Sequence, residues 1–130
     1  MKWRWWRNAQ EQAEDFSKNR GEQADEQFIT ACGLPDTPEA TRIALAVRRS
    51  VARYGMVDAK YIRVEDRYPD DLSTLSGWDS IDFLAWVFEL ERELGGEKIP
   101  KRAFDRIRQP FAVKDLILAV YHYRQNAALP

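Results

Sequence analysis

Residues 77–84 read Gly77-Trp78-Asp79-Ser80-Ile81-Asp82-Phe83-Leu84, and this stretch joins a long polar loop to an amphipathic helix. The serine stands where the chain passes from loop to helix. Free backbone N–H groups and the positive end of the helix dipole favour an added negative charge at such a point. The Ser80 hydroxyl is therefore a candidate for carrying a phosphodiester. The alternative is that Ser80 or Asp79 only caps the helix.

The sequence upstream of this stretch predicts a helix followed by a loop. Thr37 is a suitable N-cap, Pro38 suits the first helical position, and apolar residues then recur at steps of three and four until Gly55. Residues 55–78 are rich in Asp, Ser, Gly and Pro, which predicts a long loop. Its expected apolar anchors are Tyr61, Ile62, Tyr68, Leu72 and Leu75.

The sequence downstream predicts two long helices and a short one. The first runs from Asp79 to Leu94 before two glycines, with an apolar stripe of Ile81, Leu84, Val87, Phe88, Leu90 and Leu94. A short helix is expected around Phe104, before Pro110. The last has an apolar face of Val113, Leu116, Ile117, Val120 and Tyr121. Three long helices and one short helix predict an all-α four-helix bundle over residues 36–125, followed by a tail at 126–130.

Residues 1–35 differ from the rest and are expected to form an N-terminal extension. A Trp/Arg cluster at residues 3–7 precedes a polar run whose apolar stripe is thin, so we expect marginal helix or disorder there. A second short pattern, Ala24, Phe28, Ile29 and Ala31, is compatible with a helix that Gly33 ends. Trp3, Trp5 and Trp6 suit weak contact with a membrane surface or a protein groove. The alternative is that the extension folds back and buries these indoles on the bundle.

Composition excludes several classes of protein. The 130 residues carry a net charge of -1, so the basic field of a nucleic-acid binder is missing. A single cysteine cannot form an internal disulfide, and with only one histidine beside it the chain lacks the ligands for a zinc site of its own. A reducing, cytoplasmic setting is therefore the default expectation. No apolar run is long enough to span a membrane, and no motif of a catalytic site is present. An enzyme is therefore a poor first interpretation.

The chain resembles the acyl carrier protein family over about residues 38–125. The motifs that carry the resemblance are Asp79-Ser80-Ile81-Asp82, Leu84, Val87, Phe88, Leu90-Glu91-x-Glu93-Leu94, Ile99-Pro100 and Val113-x-Asp115-Leu116. Upstream, Ile62-x-x-Glu65-Asp66 and Asp71-Leu72 are similar to the loop of that family. The four-residue motif Asp79-Ser80-Ile81-Asp82 alone is weak evidence for this family. It becomes fairly specific because the expected helices and the Ile99-Pro100 pair stand at matching positions around it.

The resemblance implies a monomeric carrier without catalysis of its own. A phosphopantetheinyl transferase would attach 4′-phosphopantetheine to Ser80, between Asp79 and Asp82, and the arm's thiol would hold acyl groups as thioesters. Acyl-loading and acyl-processing enzymes of fatty-acid, polyketide or related biosynthesis would be its partners. Ile81, Leu84 and Phe88 would line a space for the acyl chain, although core packing is the plainer interpretation. A second hypothesis is a carrier-like fold that serves only as a protein-interaction module, without a prosthetic group.

Charge predicts an unusual set of partners. Residues 79–94 hold five acidic side chains against one arginine, whereas residues 101–108, commonly acidic in the family, hold four basic side chains against one aspartate. The residues expected to contact partners are Trp78, Ile81, Glu89, Glu91 and Arg92. Trp78 and Trp86 are either specificity determinants or packed residues, and tryptophans in small bundles are more often packed.

Overall fold

The computed structural model describes residues 2–78 and 83–127, and within these ranges the chain is mostly helical. The α-helices are α1 (Lys2–Ser17), α2 (Asp25–Cys32), α3 (Pro38–Gly55), α4 (Phe83–Glu93) and α5 (Val113–Ala127). Single 3₁₀ turns occupy Ala59–Tyr61, Leu72–Thr74, Ser76–Trp78 and Lys101–Phe104, and the two-residue strands are β1 (Arg67–Tyr68) and β2 (Phe111–Ala112). This helical content is compatible with the predicted all-α class, to which the structure adds one small sheet.

Helix α3 is the central element, because α2, α4 and α5 all contact it. It begins as the sequence predicts. The Thr37 hydroxyl accepts a hydrogen bond from the Ala40 N–H at 3.2 Å, and Pro38 occupies the first turn. The side chains of Val47 and Val51 on its apolar face are fully buried. The predicted helix and its cap are therefore confirmed.

Helix α3 ends at Gly55, as the sequence predicts. Met56, not Gly55, adopts the left-handed backbone conformation, with φ 59° and ψ 40°. Gly55 is instead required by packing, since a Cβ at this position would lie 2.7 Å from Cδ1 of Leu75. The glycine thus lets the following loop approach the helix closely.

The loop after α3 is held to the core by its apolar residues, as predicted. Ile62, Tyr68, Leu72 and Leu75 are buried, and Tyr61 is partly buried. The strands were not predicted, because two residues are too few for an alternating pattern. In this ladder Tyr68 lies opposite Phe111, and their stacked rings are 5.5 Å apart between centroids. The ladder joins the loop to the start of α5.

The first 35 residues contain two helices. The polar run, for which we expect marginal helix or disorder, lies in the helix α1, and the short apolar pattern before Gly33 is confirmed as the helix α2, with Gly33 in the left-handed conformation. Phe16, Phe28 and Cys32 belong to the same buried cluster as the residues of α3. The buried guanidinium of Arg48 on α3 donates to the Asp25 carboxylate at 2.8 Å and to the Gln23 carbonyl at 2.8 Å. These contacts between distant parts of the chain supply the stability that local helix propensity lacks.

The C-terminal third follows the prediction except in its short helix. Helix α5 buries Val113, Leu116, Ile117 and Val120, while Tyr121 stays half-buried. Residues Lys101–Phe104 form only one 3₁₀ turn instead of an α-helix. Phe104 is its buried anchor, and Ile107 is partly buried. None of the described helices is both long enough and apolar enough to cross a bilayer.

Candidate functional site

The serine segment itself, Asp79, Ser80, Ile81 and Asp82, lies outside the described residues. The predicted helix start at Asp79 and the expected contacts of Ile81 fall there too. The structure describes the chain up to Trp78 and again from Phe83, where α4 begins. The site is therefore defined by the residues that hold the chain on either side.

Trp78 fixes the chain immediately before the serine segment. Its side chain is fully buried, and its indole Nε1 donates a hydrogen bond to the Val51 carbonyl at 3.1 Å. The indole also meets the ring of Tyr54 edge-on, with centroids 5.0 Å apart. A Cβ at Gly77 would overlap the Tyr54 carbonyl oxygen, so only glycine allows this approach to α3. The loop consequently reaches the serine segment from a defined point on α3.

Trp86 fixes the chain on the other side, one turn into α4. It is fully buried, and its Nε1 donates to the Ser50 hydroxyl at 3.0 Å. Ser50 in turn donates to the Val47 carbonyl at 2.9 Å. The Trp86 ring packs edge-on against Phe104 at 5.3 Å, which joins α4 to the short turn at 101–104. Both tryptophans are thus packed residues, and the expectation that Trp78 contacts a partner is corrected by its burial.

Two large apolar side chains of α4 face outward. Leu84 and Phe88 are each 62% exposed, although both belong to the apolar stripe predicted to be buried. The interpretation of these two residues as core is therefore wrong, and neither lines an enclosed acyl space in this conformation. Their spacing of four residues places them on one face of α4. This exposed pair begins one residue after Phe83, the first residue of the helix.

The acidic side chains of α4 are partly neutralised within the fold. Arg53 of α3 lies 3.7 Å from the Glu89 carboxylate and 3.5 Å from the Glu93 carboxylate. Arg92 also pairs with Glu89 at 3.5 Å and keeps 68% of its side chain exposed. The acidic strip expected from sequence is consequently weaker as a free surface than the count of carboxylates suggests.

Glu91 has a structural role and is not the surface contact that the sequence suggested. It is 8% exposed, and its carboxylate accepts a hydrogen bond from the Ile99 N–H at 2.8 Å. Lys98 lies 3.8 Å from the same carboxylate. Glu91 therefore holds the segment after α4 in place. Of the residues expected to contact partners, Arg92 is exposed and Glu89 is partly exposed.

A second surface lies between residues 101–108 and α5, and sequence reasoning found its charge but not its shape. Residues 102–108 and α5 line an open groove of about 960 Å³, which we call the basic groove. Its lining includes Arg102, Arg106, Ile107, Arg108, Leu118 and Tyr123. The groove could not be predicted because it depends on how α5 packs beside the 3₁₀ turn.

The one cysteine is unsuited to act as a nucleophile. Cys32 is 2% exposed, and burial raises the pKa of its thiol to about 11. Because the thiolate is the reactive form, a thiol with this pKa is mostly protonated near neutral pH. Cys32 is therefore a small apolar residue of the core.

Comparison of the chain with family models, curated proteins and solved structures gave no match.

Proposed function

We propose that this chain is an acyl carrier protein, with 4′-phosphopantetheine attached to Ser80 and acyl or related groups carried on it as thioesters. Two features support the proposal: the motif at residues 79–82 resembles that of the acyl carrier protein family, and the helices before and after it follow in the expected order. A phosphopantetheinyl transferase would modify the chain, and acyl-loading and acyl-processing enzymes would then use it. The chain itself would perform no catalytic step.

The observation that carries the proposal is the anchoring of both ends of the serine segment to one helix. Trp78 lies two residues before Ser80 and bonds to Val51, while Trp86 lies six residues after it and bonds to Ser50. A prosthetic arm that must reach several enzymes needs a rigid mount with a short attachment segment. The two indoles supply that mount, because each fixes its side of the segment to α3.

The residues next to the segment also fit an attached arm. Leu84 and Phe88 leave an open apolar surface on the first turns of α4, so the described fold does not fill the space beside them. When attached, the arm would supply a terminal thiol that forms thioesters with acyl groups. The chain's own part in the attachment of the arm would be the Ser80 hydroxyl. Its oxygen would bond to the phosphorus that carries the pantetheine of coenzyme A, the bond from that phosphorus to the bridging pyrophosphate oxygen would break with release of 3′,5′-adenosine bisphosphate, and the hydroxyl proton would pass to a base of the transferase.

The finer architecture that we propose is a carrier-like four-helix bundle. Its members are α3, α4, the short turn Lys101–Phe104 and α5, in the order long, long, short, long. Helix α3 contacts α4 and α5, and α5 contacts the short turn. Helix α1 adds to this bundle through Phe16 and α2 through Phe28 and the Asp25–Arg48 contact, so both helices extend the same core.

We test the proposal by labelling the full chain with a broad-specificity phosphopantetheinyl transferase and a fluorescent coenzyme A. The wild-type chain should take up one label, and Ser80→Ala should take up none. Ser76→Ala is the matched control, because it changes a nearby loop serine and should label like the wild type. Absence of label on a folded wild-type chain, or label that persists in Ser80→Ala, contradicts the proposal.

The alternative function is an interaction module without a prosthetic group, and the basic groove is the observation that favours it. This alternative predicts no label on any variant in the same experiment. If the wild-type chain takes up the label, loading the modified chain in a native lysate followed by mass spectrometry of the thioester would identify the carried group.

A further inference from the structure

The basic groove has a positively charged rim that the fold does not neutralise. Arg106 lines the groove, is exposed and forms no ion pair within residues 2–78 and 83–127. The Arg102 guanidinium lies 5.8 Å from the centroid of the Tyr123 ring, which holds it beside α5. Arg108 donates to the backbone carbonyls of Asp105 and Ile107 and thereby stiffens the edge of the groove. The rim therefore offers fixed positive charge to a ligand.

The floor of the groove is apolar and incompletely covered. Ile107, Leu118 and Tyr123 all line it and are only partly buried by the rest of the chain. A ligand that covered them would gain hydrophobic free energy in addition to its ion pairs. A site for a free anion needs no apolar floor. The basic rim and the apolar floor together therefore indicate a larger ligand that has both acidic and apolar groups.

We infer that the basic groove binds an acidic, partly apolar polypeptide segment of a partner protein, through carboxylates on its arginine rim and apolar side chains on its floor. This inference is independent of the modification of Ser80. Charge complementarity selects the occupant: residues 101–108 carry four basic side chains against Asp105 alone. The Asp115 carboxylate also lies in the groove, where it accepts a hydrogen bond from the Ala112 N–H at 2.8 Å and so stabilises the start of α5.

Other occupants fit the groove less well. A nucleic acid needs a broad basic field for its closely spaced phosphates, and the net charge of this chain is -1. A membrane surface is flat and would leave the apolar floor of a concave groove uncovered. An inorganic anion would use the rim but not the floor. Each of these occupants can be distinguished in one binding assay.

The assay measures fluorescence anisotropy of a labelled peptide in which glutamates alternate with leucine and phenylalanine, titrated with the full chain. We expect saturable binding that weakens with added salt and that falls sharply when glutamine replaces glutamate or serine replaces leucine and phenylalanine. Arg106→Glu should weaken binding by about tenfold, because it places a like charge against the peptide. Lys18→Glu is the matched control, since Lys18 is exposed in a separate groove, and it should bind as the wild type does.

Amide chemical shifts of the ¹⁵N-labelled wild-type chain, measured by NMR, provide a second readout that does not depend on the stability of a variant. Peptide-induced shifts should concentrate on residues 101–108 and on Leu118 and Tyr123. The inference is overturned by an absence of saturable peptide binding, by equal binding of the glutamine peptide, or by equal weakening in Arg106→Glu and Lys18→Glu. Binding of inorganic phosphate, duplex DNA or phosphatidylserine vesicles without binding of the peptide overturns it as well.

Discussion

Trp78 and Trp86 lie with ring centroids 6.3 Å apart, and their indole N–H groups bond to consecutive residues of α3. The first indole holds the chain to the core just before the serine segment, and the second holds α4 to the core just after it. Buried indole donors need partners, so each hydrogen bond also fixes the position of its ring. This paired anchoring is the structural basis of the proposed attachment site.

Ser50→Ala tests the anchor on α4. The substitution removes the acceptor for Trp86 and leaves a buried N–H unsatisfied, so we expect a loss of about 1–3 kcal/mol in the free energy of unfolding. Urea denaturation followed by tryptophan fluorescence measures it. Ser73→Ala, at a partly exposed loop serine, serves as the control and should change stability by less than about 0.5 kcal/mol. Equal stability of Ser50→Ala and the wild type would show that this hydrogen bond contributes nothing.

Gly77→Ala tests the close approach of the loop to α3. The new Cβ would overlap the Tyr54 carbonyl oxygen, a backbone atom that can move only with the helix. We expect destabilisation of about 2 kcal/mol or more, measured by thermal unfolding. Gly21→Ala is the matched control, because its Cβ would meet only the end of the Arg63 side chain at 3.7 Å. A Gly77→Ala chain that melts like the control would contradict the described packing.

Arg48→Met tests how the N-terminal helices are held. The Arg48 guanidinium is buried, bonds to Asp25, Gln23, Lys60 and Ile62, and lies 4.5 Å from the Phe28 ring. Methionine fills similar space but leaves these acceptors unpaired, and we expect a loss of about 3 kcal/mol. Hydrogen exchange should become faster in α2 first. Arg49→Met, at a side chain that is 52% exposed, should have little effect, and equal effects of the two changes would refute this role for Arg48.

Asp66 predicts a pH dependence of stability. Burial raises the pKa of its carboxyl group above 3.8, although the Arg63 N–H and the Arg20 guanidinium at 2.7 Å oppose the shift. Because the folded-state pKa is the higher one, the contribution of Asp66 is fully present below the unfolded-state pKa and is lost as pH rises through the raised value.

Unfolding free energies of the wild type and Asp66→Asn, measured in urea from about pH 3 to about pH 7, check this sign. The asparagine can still accept from Arg63 but does not titrate. We expect the stability of the wild type relative to the variant to fall as pH rises. A relative stability that increases with pH would mean that the ion pair with Arg20 dominates over burial.

Local signals explain which parts of the fold could be predicted. The start of α3 was predicted because Thr37 and Pro38 act on the first turn alone. The glycines after α4 likewise mark its end, and Gly95 and Gly96 both have positive φ. The contacts that hold α2 could not be predicted, because they come from Arg48, a residue of a different helix.

The buried face of α4 could not be predicted from its pattern. Residues 83–88 are all apolar, so several faces satisfy the helical period equally well. Burial of Trp86 selects one face, and Leu84 and Phe88 then point outward. Glu91 was assigned to the surface for a related reason, since its partner is the backbone N–H of Ile99 beyond the end of the helix. Such contacts depend on tertiary packing, which no local pattern encodes.

The most direct test of the carrier proposal is the intact mass of the full chain after coexpression with a broad-specificity phosphopantetheinyl transferase. The account predicts one added phosphopantetheinyl group on the wild type and on Ser76→Ala, and an unmodified mass for Ser80→Ala. An unmodified wild type, or a group that remains on Ser80→Ala, would contradict it.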